Sequence, residues 1–201
     1  KSGGNAVDAA VATAAALTVV EPTSNGIGSD AFALVWKDGR LQGLNASGPC
    51  PRSLSLDVVR REGWGAMPPY GWAPVTVPGA PAAWAELTAR MGRRSLRENL
   101  APAVAHAREG HAVSVSVGHS AAVAFHKYAR ETGEVFAPWF ETFAPAGRPL
   151  RIGERWVSLA HAETLERIGE SDARDFYEGA LADRIVAHAR RTGGFLTAED
   201  L

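Results

Sequence analysis

Gly3-Gly4-Asn5-Ala6-Val7-Asp8-Ala9-Ala10-Val11-Ala12-Thr13-Ala14-Ala15-Ala16-Leu17-Thr18-Val19-Val20-Glu21-Pro22 is the stretch on which the fold turns. Asn5 carries a short amide whose oxygen can accept from the free N–H groups of a helix's first turn, and Asp8 places a carboxylate near the positive end of the dipole. Residues 6–20 are therefore predicted to be helical, and Glu21-Pro22 stops them, because a residue before proline avoids the helical region. Alanine dominates the run, so small side chains stand on nearly every face. That pattern predicts a central helix buried all round and closely approached by its neighbours. Asp8, Thr13 and Thr18 interrupt the run, which is also shorter than the roughly 18 apolar residues of a spanning helix. No transmembrane segment is expected.

Outward from this helix, residues 23–30 read as a polar turn. Phe32-Ala33-Leu34-Val35-Trp36 and Arg40-Leu41-Gln42-Gly43-Leu44 then flank Lys37-Asp38-Gly39. Asp-Gly between two apolar runs is hairpin chemistry, since both residues tolerate a positive φ. Residues 47–78 hold prolines at 49, 51, 68, 69, 74 and 78 and tryptophan-glycine pairs around Trp64 and Trp72. They are predicted to form an ordered loop, with one short helix near 54–61. Beyond Pro78-Gly79 the apolar spacing predicts helices over 80–91, 96–109, 115–128, 158–169 and 178–192. The fold class is α+β, mostly helical with one β-hairpin.

The 201 residues include 21 Lys plus Arg against 22 Asp plus Glu, a formal charge of −1 that offers no field to recruit nucleic acid or an anionic membrane. Cys50 is the only cysteine, which excludes an internal disulfide and any multi-thiolate metal site. Between Pro49 and Pro51 it reads as a small buried or half-buried thiol. The chain opens at Lys1-Ser2 without a methionine or a leader and closes at Ala198-Glu199-Asp200-Leu201 in what reads as a helix start. Both ends are expected to be truncated, so the compartment stays open: soluble, and cytoplasmic, periplasmic or secreted.

Few constellations carry chemistry. Gly26-Ile27-Gly28-Ser29-Asp30-Ala31 formally matches a dinucleotide fingerprint, but a helix precedes it and a strand follows, so a phosphate would meet no helix N-terminus. These are read as turn glycines. His119 and His126 could share a helical face, yet no third ligand lies at a usable spacing, and no metal site is expected. There is no Gly-x-Ser-x-Gly elbow, and Ser114, Ser116 and Ser120 read as caps and turn residues. Glu163 and Glu166 belong to a solvated charged face. No catalytic apparatus is complete within these residues, and no cofactor is implied.

Longer words are more specific. Gly3-Gly4-Asn5-Ala6-Val7-Asp8-Ala9-Ala10-Val11-Ala12 resembles the opening of the gamma-glutamyltranspeptidase family, and Val20-Glu21-Pro22, Gly26-Ile27-Gly28 and Phe32-Ala33-Leu34-Val35 continue the likeness in order. It extends through Val77-Pro78-Gly79, Leu100-Ala101-Pro102-Ala103, Ala107-Arg108-Glu109-Gly110, Val113-Ser114 and Phe176-Tyr177-Glu178-Gly179. It ends in Gly193-Gly194-Phe195-Leu196-Thr197-Ala198-Glu199-Asp200-Leu201, so it spans the chain.

The resemblance implies an N-terminal nucleophile hydrolase, an αββα sandwich made by a precursor that cleaves itself into a large and a small subunit. Residues 1–201 would be part of the large subunit, with the hairpin adding strands to the sandwich and the later helices forming a covering layer. The nucleophile would be the new terminal threonine of the small subunit, beyond Leu201, so no catalytic residue is assigned here. Its freed α-amine would act as the base, and backbone donors would hold the oxyanion. The implied partners are the chain's own small subunit and a small amide or gamma-glutamyl substrate, without cofactor.

One departure bears on specificity. Members acting on gamma-glutamyl compounds follow the second strand with a word like Asp-Gly-Arg-Glu, whose arginine grips the substrate α-carboxylate as a planar bidentate donor. Here the stretch is Leu44-Asn45-Ala46-Ser47-Gly48-Pro49-Cys50-Pro51, which puts Ser47 in the arginine's place. The chain is closer to the gamma-glutamyltransferase-like branch that reads Asn-x-Ser-Gly, which includes acylases of β-lactam side chains. Ser47 and Asn45 are the substrate-binding candidates, with Arg52 as the cation that could reach the same spot. The expected activity is amide hydrolysis or acyl transfer, with gamma-glutamyl or an altered acyl group; the alternative is a degenerate relative that binds a peptide or amino-acid amide without turnover. A polypeptide limited to residues 1–201 should be inert towards amide substrates. Turnover above a control preparation would redirect the search to Ser114, Ser116 and Cys50.

Overall fold

The computed structural model describes residues 3–131 and 133–201; the opening Lys1-Ser2 lies outside them, as does Thr132. Helix α1 covers Ala6–Val20, and its start is closed as a reciprocal capping box. The Asn5 side chain accepts from the backbone N–H of Val7 and Asp8, and the Asp8 carboxylate accepts from the N–H of Asn5 at 2.7 Å. Two orphan donors and the cap residue's own N–H are thereby satisfied.

The remaining elements are β1 (Ala31–Lys37), β2 (Arg40–Ala46), α2 (Leu56–Arg61), α3 (Ala80–Met91), α4 (Leu96–Glu109), β3 (His111–Ala112) and α5 (Val115–Tyr128). A single 3₁₀ turn at Glu134–Phe136 leads into α6 (Ala137–Phe143). Then come β4 (Arg155–Trp156), α7 (Leu159–Glu170), α8 (Arg174–Glu178) and α9 (Ala180–Thr192). They divide into two units, Lys1–Ile27 with Leu87–Asp172, and Gly28–Glu86 with Ala173–Leu201.

In the first unit α1 packs on α4, and α4 on α7. Val7, Val11, Ala15 and Val19 of α1, Leu96, Leu100, Ala103 and Ala107 of α4, and Ala162, Leu165 and Ile168 of α7 are buried at helical spacing. Close approach of α7 is set by Gly169, where a Cβ would stand 3.0 Å from the Cα of Arg97. The expectation that α1 is buried all round is corrected. Its buried residues lie on one face, and Ala9, Ala10 and Thr13 are exposed, because its partners within the described residues come from one side.

Asp8 does more than cap. It is 3% exposed, and its two oxygens also accept from the N–H of Arg93 at 3.0 Å, of Arg94 at 3.2 Å and from Nδ2 of Asn99 at 3.1 Å. Asn5 returns a bond from Nδ2 to the carbonyl of Met91 at 2.7 Å. The turn between α3 and α4 is thus held onto the start of α1, and Gly92 is needed there because a Cβ would lie 2.7 Å from Oδ1 of Asp8. Burial pushes the Asp8 carboxyl up, but the donors of Asn5, Asn99, Arg93 and Arg94 outweigh it and lower the pKa from 3.8 to about 2.

A second core in this unit gathers Val113, Val117, Ala121, Leu150 and Trp156, with Phe143 against it. The two-residue strands β3 and β4 pair antiparallel, His111 opposite Trp156. Trp139 meets Phe140 and Tyr128 edge-on, Phe140 meets Phe125 edge-on, and Phe143 packs at a tilt against Trp139 and Trp156. Sequence periodicity did not find α6, β3 or β4: each is too short to show a repeat.

The second unit carries the hairpin. β1 and β2 pair in register from Ala31↔Ala46 to Lys37↔Arg40, and the turn places Asp38 and Gly39 at φ of 52° and 73°. That is the Asp-Gly geometry the sequence predicted. Phe32, Leu34, Trp36 and Leu41 share one face and are 67%, 77%, 71% and 60% exposed. The helix predicted over 178–192 begins at Ala180 as α9, and the short α8, which was not predicted, precedes it across Gly179, where Oδ1 of Asp175 accepts from the N–H of Ala180 at 2.8 Å. Val77, Ala189 and Leu196 form the core, with Trp72, Val75, Ile185 and Leu201 around it. Nε1 of Trp72 donates to the Thr192 hydroxyl at 2.7 Å. Residues 197–200 form a turn closed by Asp200, where a helix start was expected. No described helix is long and apolar enough to cross a membrane.

Replacing Asp8 with asparagine should cost about 3 kcal/mol, since a buried carboxylate accepting from several donors is lost and an amide N–H faces some of them. The native carboxyl takes its proton near pH 2 and an ordinary one near 3.8. As pH falls between those values the unfolded chain is protonated first and stability drops. Urea midpoints from pH 5 to 2.5 should fall more steeply for the unmodified protein than for Asp8→Asn.

Candidate functional site

The end of β2 and the loop after it place the three predicted binding residues. Asn45 stands opposite Phe32 in the ladder, and its Oδ1 accepts from the backbone N–H of Ser47 at 2.9 Å. This Asx turn closes the strand and sets the direction of Ser47, which is half-buried. Gly48 follows at φ +71°, a left-handed conformation that glycine adopts without penalty.

The loop is pressed against a second stretch of bare backbone. A Cβ on Gly48 would lie 1.8 Å from the carbonyl oxygen of Val77, and one on Gly79 would lie 1.9 Å from that of Ala46. The N–H of Val77 donates to the Pro49 carbonyl at 3.0 Å. Residues 46–49 and 77–79 therefore run side by side with a glycine on each at the points of closest approach. The N–H groups of Gly79 and Ala80 both donate to the Ser29 carbonyl, at 3.1 and 2.8 Å, which ties the segment before β1 to the start of α3.

Arg52 lies farther along. Its backbone N–H donates to Oδ1 of Asp200 at 2.9 Å, and its guanidinium is 3.8 Å from Glu199. Both side chains of that ion pair are largely solvated, so it adds little stability. Burial pushes the Asp200 carboxyl up, and the N–H groups of Arg52 and Thr197 with the Thr197 hydroxyl bring it below its ordinary value. The structure joins Asn45 and Ser47 by a hydrogen bond and turns Arg52 towards the 197–200 turn.

Other readings can be placed. Cys50 is exposed, where a buried or half-buried thiol was expected: Pro51 takes the buried position and Sγ points outward, 3.5 Å from the Leu54 carbonyl. Residues 26–31 lie between α1 and β1 as turn and strand start. His119 and His126 are exposed on α5, and Ser114 caps that helix by accepting from the N–H of Val117 at 3.1 Å. Glu163 and Glu166 face Arg167 and Arg108. Along the hairpin, Phe32, Ala33, Leu34, Gly43 and Leu44 line an open apolar hollow that Asn45 borders.

Tertiary structure also assembles groups that had no sequence signal. His111 and His161 both meet the Trp156 ring, with centroids 5.6 and 5.9 Å away, and burial holds both imidazoles below their ordinary pKa. They pack as neutral aromatics. No three His, Cys, Asp or Glu among the described residues are grouped to hold a metal. In the second unit Tyr177 of α8 donates its hydroxyl to the Pro78 carbonyl at 2.7 Å, directly before Gly79. Phe176-Tyr177-Glu178-Gly179 was legible as a word, but nothing in its spacing showed what it touches.

Comparison with known proteins identifies the family and the fold. The family model described as gamma-glutamyltranspeptidase matches residues 1–201. The structure of a cephalosporin acylase from Bacillus halodurans superposes with a TM-score of 0.96 at 54% identity, covering 98% of this chain and 37% of that one. Helicobacter pylori gamma-glutamyltranspeptidase superposes with a TM-score of 0.89 at 27% identity, covering 98% and 57%. The glutathione hydrolase-like YwrD proenzyme of Bacillus subtilis is 34% identical over 204 residues, 98% of this chain and 37% of the relative. The chain thus spans well under two thirds of the length of these relatives. Its α+β architecture, mostly helical with one hairpin, is that of the corresponding segment of N-terminal nucleophile hydrolases. The chain belongs to the gamma-glutamyltranspeptidase family.

Proposed function

We propose that the protein carrying this chain is a self-processing amide hydrolase or acyltransferase whose preferred acyl group is not gamma-glutamyl. Residues 1–201 belong to its large subunit, and Ser47 and Asn45 border the acyl pocket. The observation that carries this reading is the Asn45-Ala46-Ser47-Gly48 turn, which presents a neutral hydroxyl at the position to which the family resemblance assigns the carboxylate-binding arginine. The 54% identity to a chain named as a cephalosporin acylase supports an altered acyl preference.

Chemistry in this reading is divided between two segments. A threonine beyond Leu201, freed as a new N-terminus by self-cleavage, attacks the amide carbonyl while its own α-amine takes the hydroxyl proton; the C–N bond then breaks and that proton passes to the departing amine, leaving the acyl group on the threonine oxygen. Water or an acceptor amine next attacks this ester, gives up a proton to the same α-amine and carries off the acyl group, and the threonine hydroxyl is restored. The present chain supplies the wall of the acyl pocket: the Asn45 amide fixes the turn, and the apolar hollow along the hairpin continues from it. The relative named as a proenzyme supports self-processing, and the small subunit is then the chain's obligate partner. No cofactor enters the reaction.

Arg52 is the competing source of positive charge. Its backbone bond to Asp200 and its proximity to Glu199 favour a role in holding the 197–200 turn.

Losing one member of a buried arginine–carboxylate pair costs about 2–5 kcal/mol, equivalent to roughly thirtyfold or more in affinity. Ser47→Arg should therefore raise kcat/KM for a gamma-glutamyl anilide about tenfold or more. It should lower kcat/KM for an uncharged acyl anilide, because an unpaired guanidinium would enter the pocket. Parallel changes on the two substrates, or none, refute the assignment. Arg52→Ala should leave the gamma-glutamyl rate within about twofold; a collapse would identify Arg52 as the carboxylate's cation. The mass of the purified full-length product should show two chains, and a single chain would favour the non-catalytic binding protein.

A further inference from the structure

The loop bearing Ser47 packs bare backbone against residues 77–79 at Gly48 and Gly79 and is tied to them by the bond from the Val77 N–H to the Pro49 carbonyl, so its position depends on what fixes residues 77–79. On one side that is the Ser29 carbonyl, which accepts from Gly79 and Ala80. On the other side it is Tyr177. Its hydroxyl donates to the Pro78 carbonyl at 2.7 Å and accepts from the N–H of Ala82 at 3.1 Å. Ala83 donates back to Gly79, and Pro81 has no N–H, so the first turn of α3 has every donor occupied. Among the described residues, the Ala82 N–H is satisfied by the Tyr177 hydroxyl.

Pro78 and Gly79 are themselves buried, and no side chain on Gly79 stands between the Tyr177 bond and the Ala46 carbonyl. A shift of the Pro78 peptide therefore passes directly to Ala46 and, one residue on, to Ser47. Burial keeps the Tyr177 hydroxyl above the ordinary phenol range, though the Ala82 N–H pulls the other way, so it remains a donor at neutral pH.

We infer that Tyr177 is a positioning residue for acyl specificity, acting on Ser47 through the Pro78-Gly79 and Ala46-Gly48 backbone contact. This inference rests on Ser47 bordering the acyl pocket. Tyr177 acts through the backbone it holds: it sets how far the Ser47 turn projects, and hence binding rather than chemistry.

The test uses the full-length protein with Tyr177→Phe, which keeps the ring and removes both hydroxyl bonds. Steady-state kinetics on the preferred uncharged acyl anilide should show KM raised about fivefold with kcat within twofold. A second measurement needs no activity. Ser47→Cys is placed in a Cys50→Ser background, and the reaction of residue 47 with a pyridyl disulfide is followed by peptide mass. Adding Tyr177→Phe should change that rate at least threefold, with thermal melting confirming a folded protein. An unchanged labelling rate overturns the mechanical link, whatever the kinetics. An equal fall in kcat without a rise in KM overturns the specificity role. If labelling changes while KM does not, the inference also fails. Ser47→Arg then locates the fault: a variant silent on both substrates shows that Ser47 is not in the pocket, whereas one that switches preference shows that Tyr177 alone was misassigned.

Discussion

Two peptide backbones lie against each other without side chains between them, residues 46–48 against 77–79, and the second unit is organised around that contact. Gly48 and Gly79 sit at the two points where a Cβ would fall within 2 Å of a carbonyl oxygen. Such an approach leaves no room for adjustment: any other residue at either place must move the loop or the helix start. It also brings polar backbone into a buried place, where each donor needs an acceptor. Ser29, Pro49 and Tyr177 supply those partners from three distant parts of the sequence. The hairpin, the proline-rich loop and α8 are in this way made to meet at the residues that carry the candidate site.

The first unit meets a similar demand with a charge. Asp8 is buried beside the start of α1, and its carboxylate is stabilised by three backbone N–H groups and the Asn99 amide, without a paired cation in direct contact among the described bonds. Fixed dipoles replace water around it, which is why its pKa falls although burial alone would raise it. Gly92 repeats the logic of Gly48 and Gly79, since a side chain there would strike the carboxylate. In both units a word on which the family resemblance rests, Gly-Gly-Asn-Ala-Val-Asp in one and Val-Pro-Gly in the other, lies at a close backbone contact.

Local rules read much of this architecture correctly. Asn5 and Ser114 cap the helices that follow them, α1 runs between its predicted cap and stop, and the bounds of α3, α4 and α5 coincide with the apolar spacing that predicted them. Asp38-Gly39 turns the hairpin at positive φ. The elements that were missed share a cause. α6 spans seven residues, α8 five, and β3 and β4 two each, too few for a period of 3.6 or 2 to register. These elements are stabilised by what they touch, as Trp139, Phe140 and Phe143 are by the rings around Trp156. The one-sided burial of α1 was hidden for the opposite reason: a helix of alanines looks alike on every face, and only its neighbours distinguish them.

Sequence by itself determined the helical frame and the hairpin with its turn, and its longer words, spread along the chain, pointed to the family. The frame and the turn rest on residues close together in the chain, whose caps, turn geometry and periodicity act over a few positions. Tertiary structure decided the rest. It turned Arg52 towards Glu199 and Asp200, exposed Cys50, gave Asp8 its distant donors and set Tyr177 behind the backbone that supports Ser47. Such contacts join residues some 85 to 150 positions apart, and no local pattern encodes them. They follow from which buried polar groups find partners once the chain has closed.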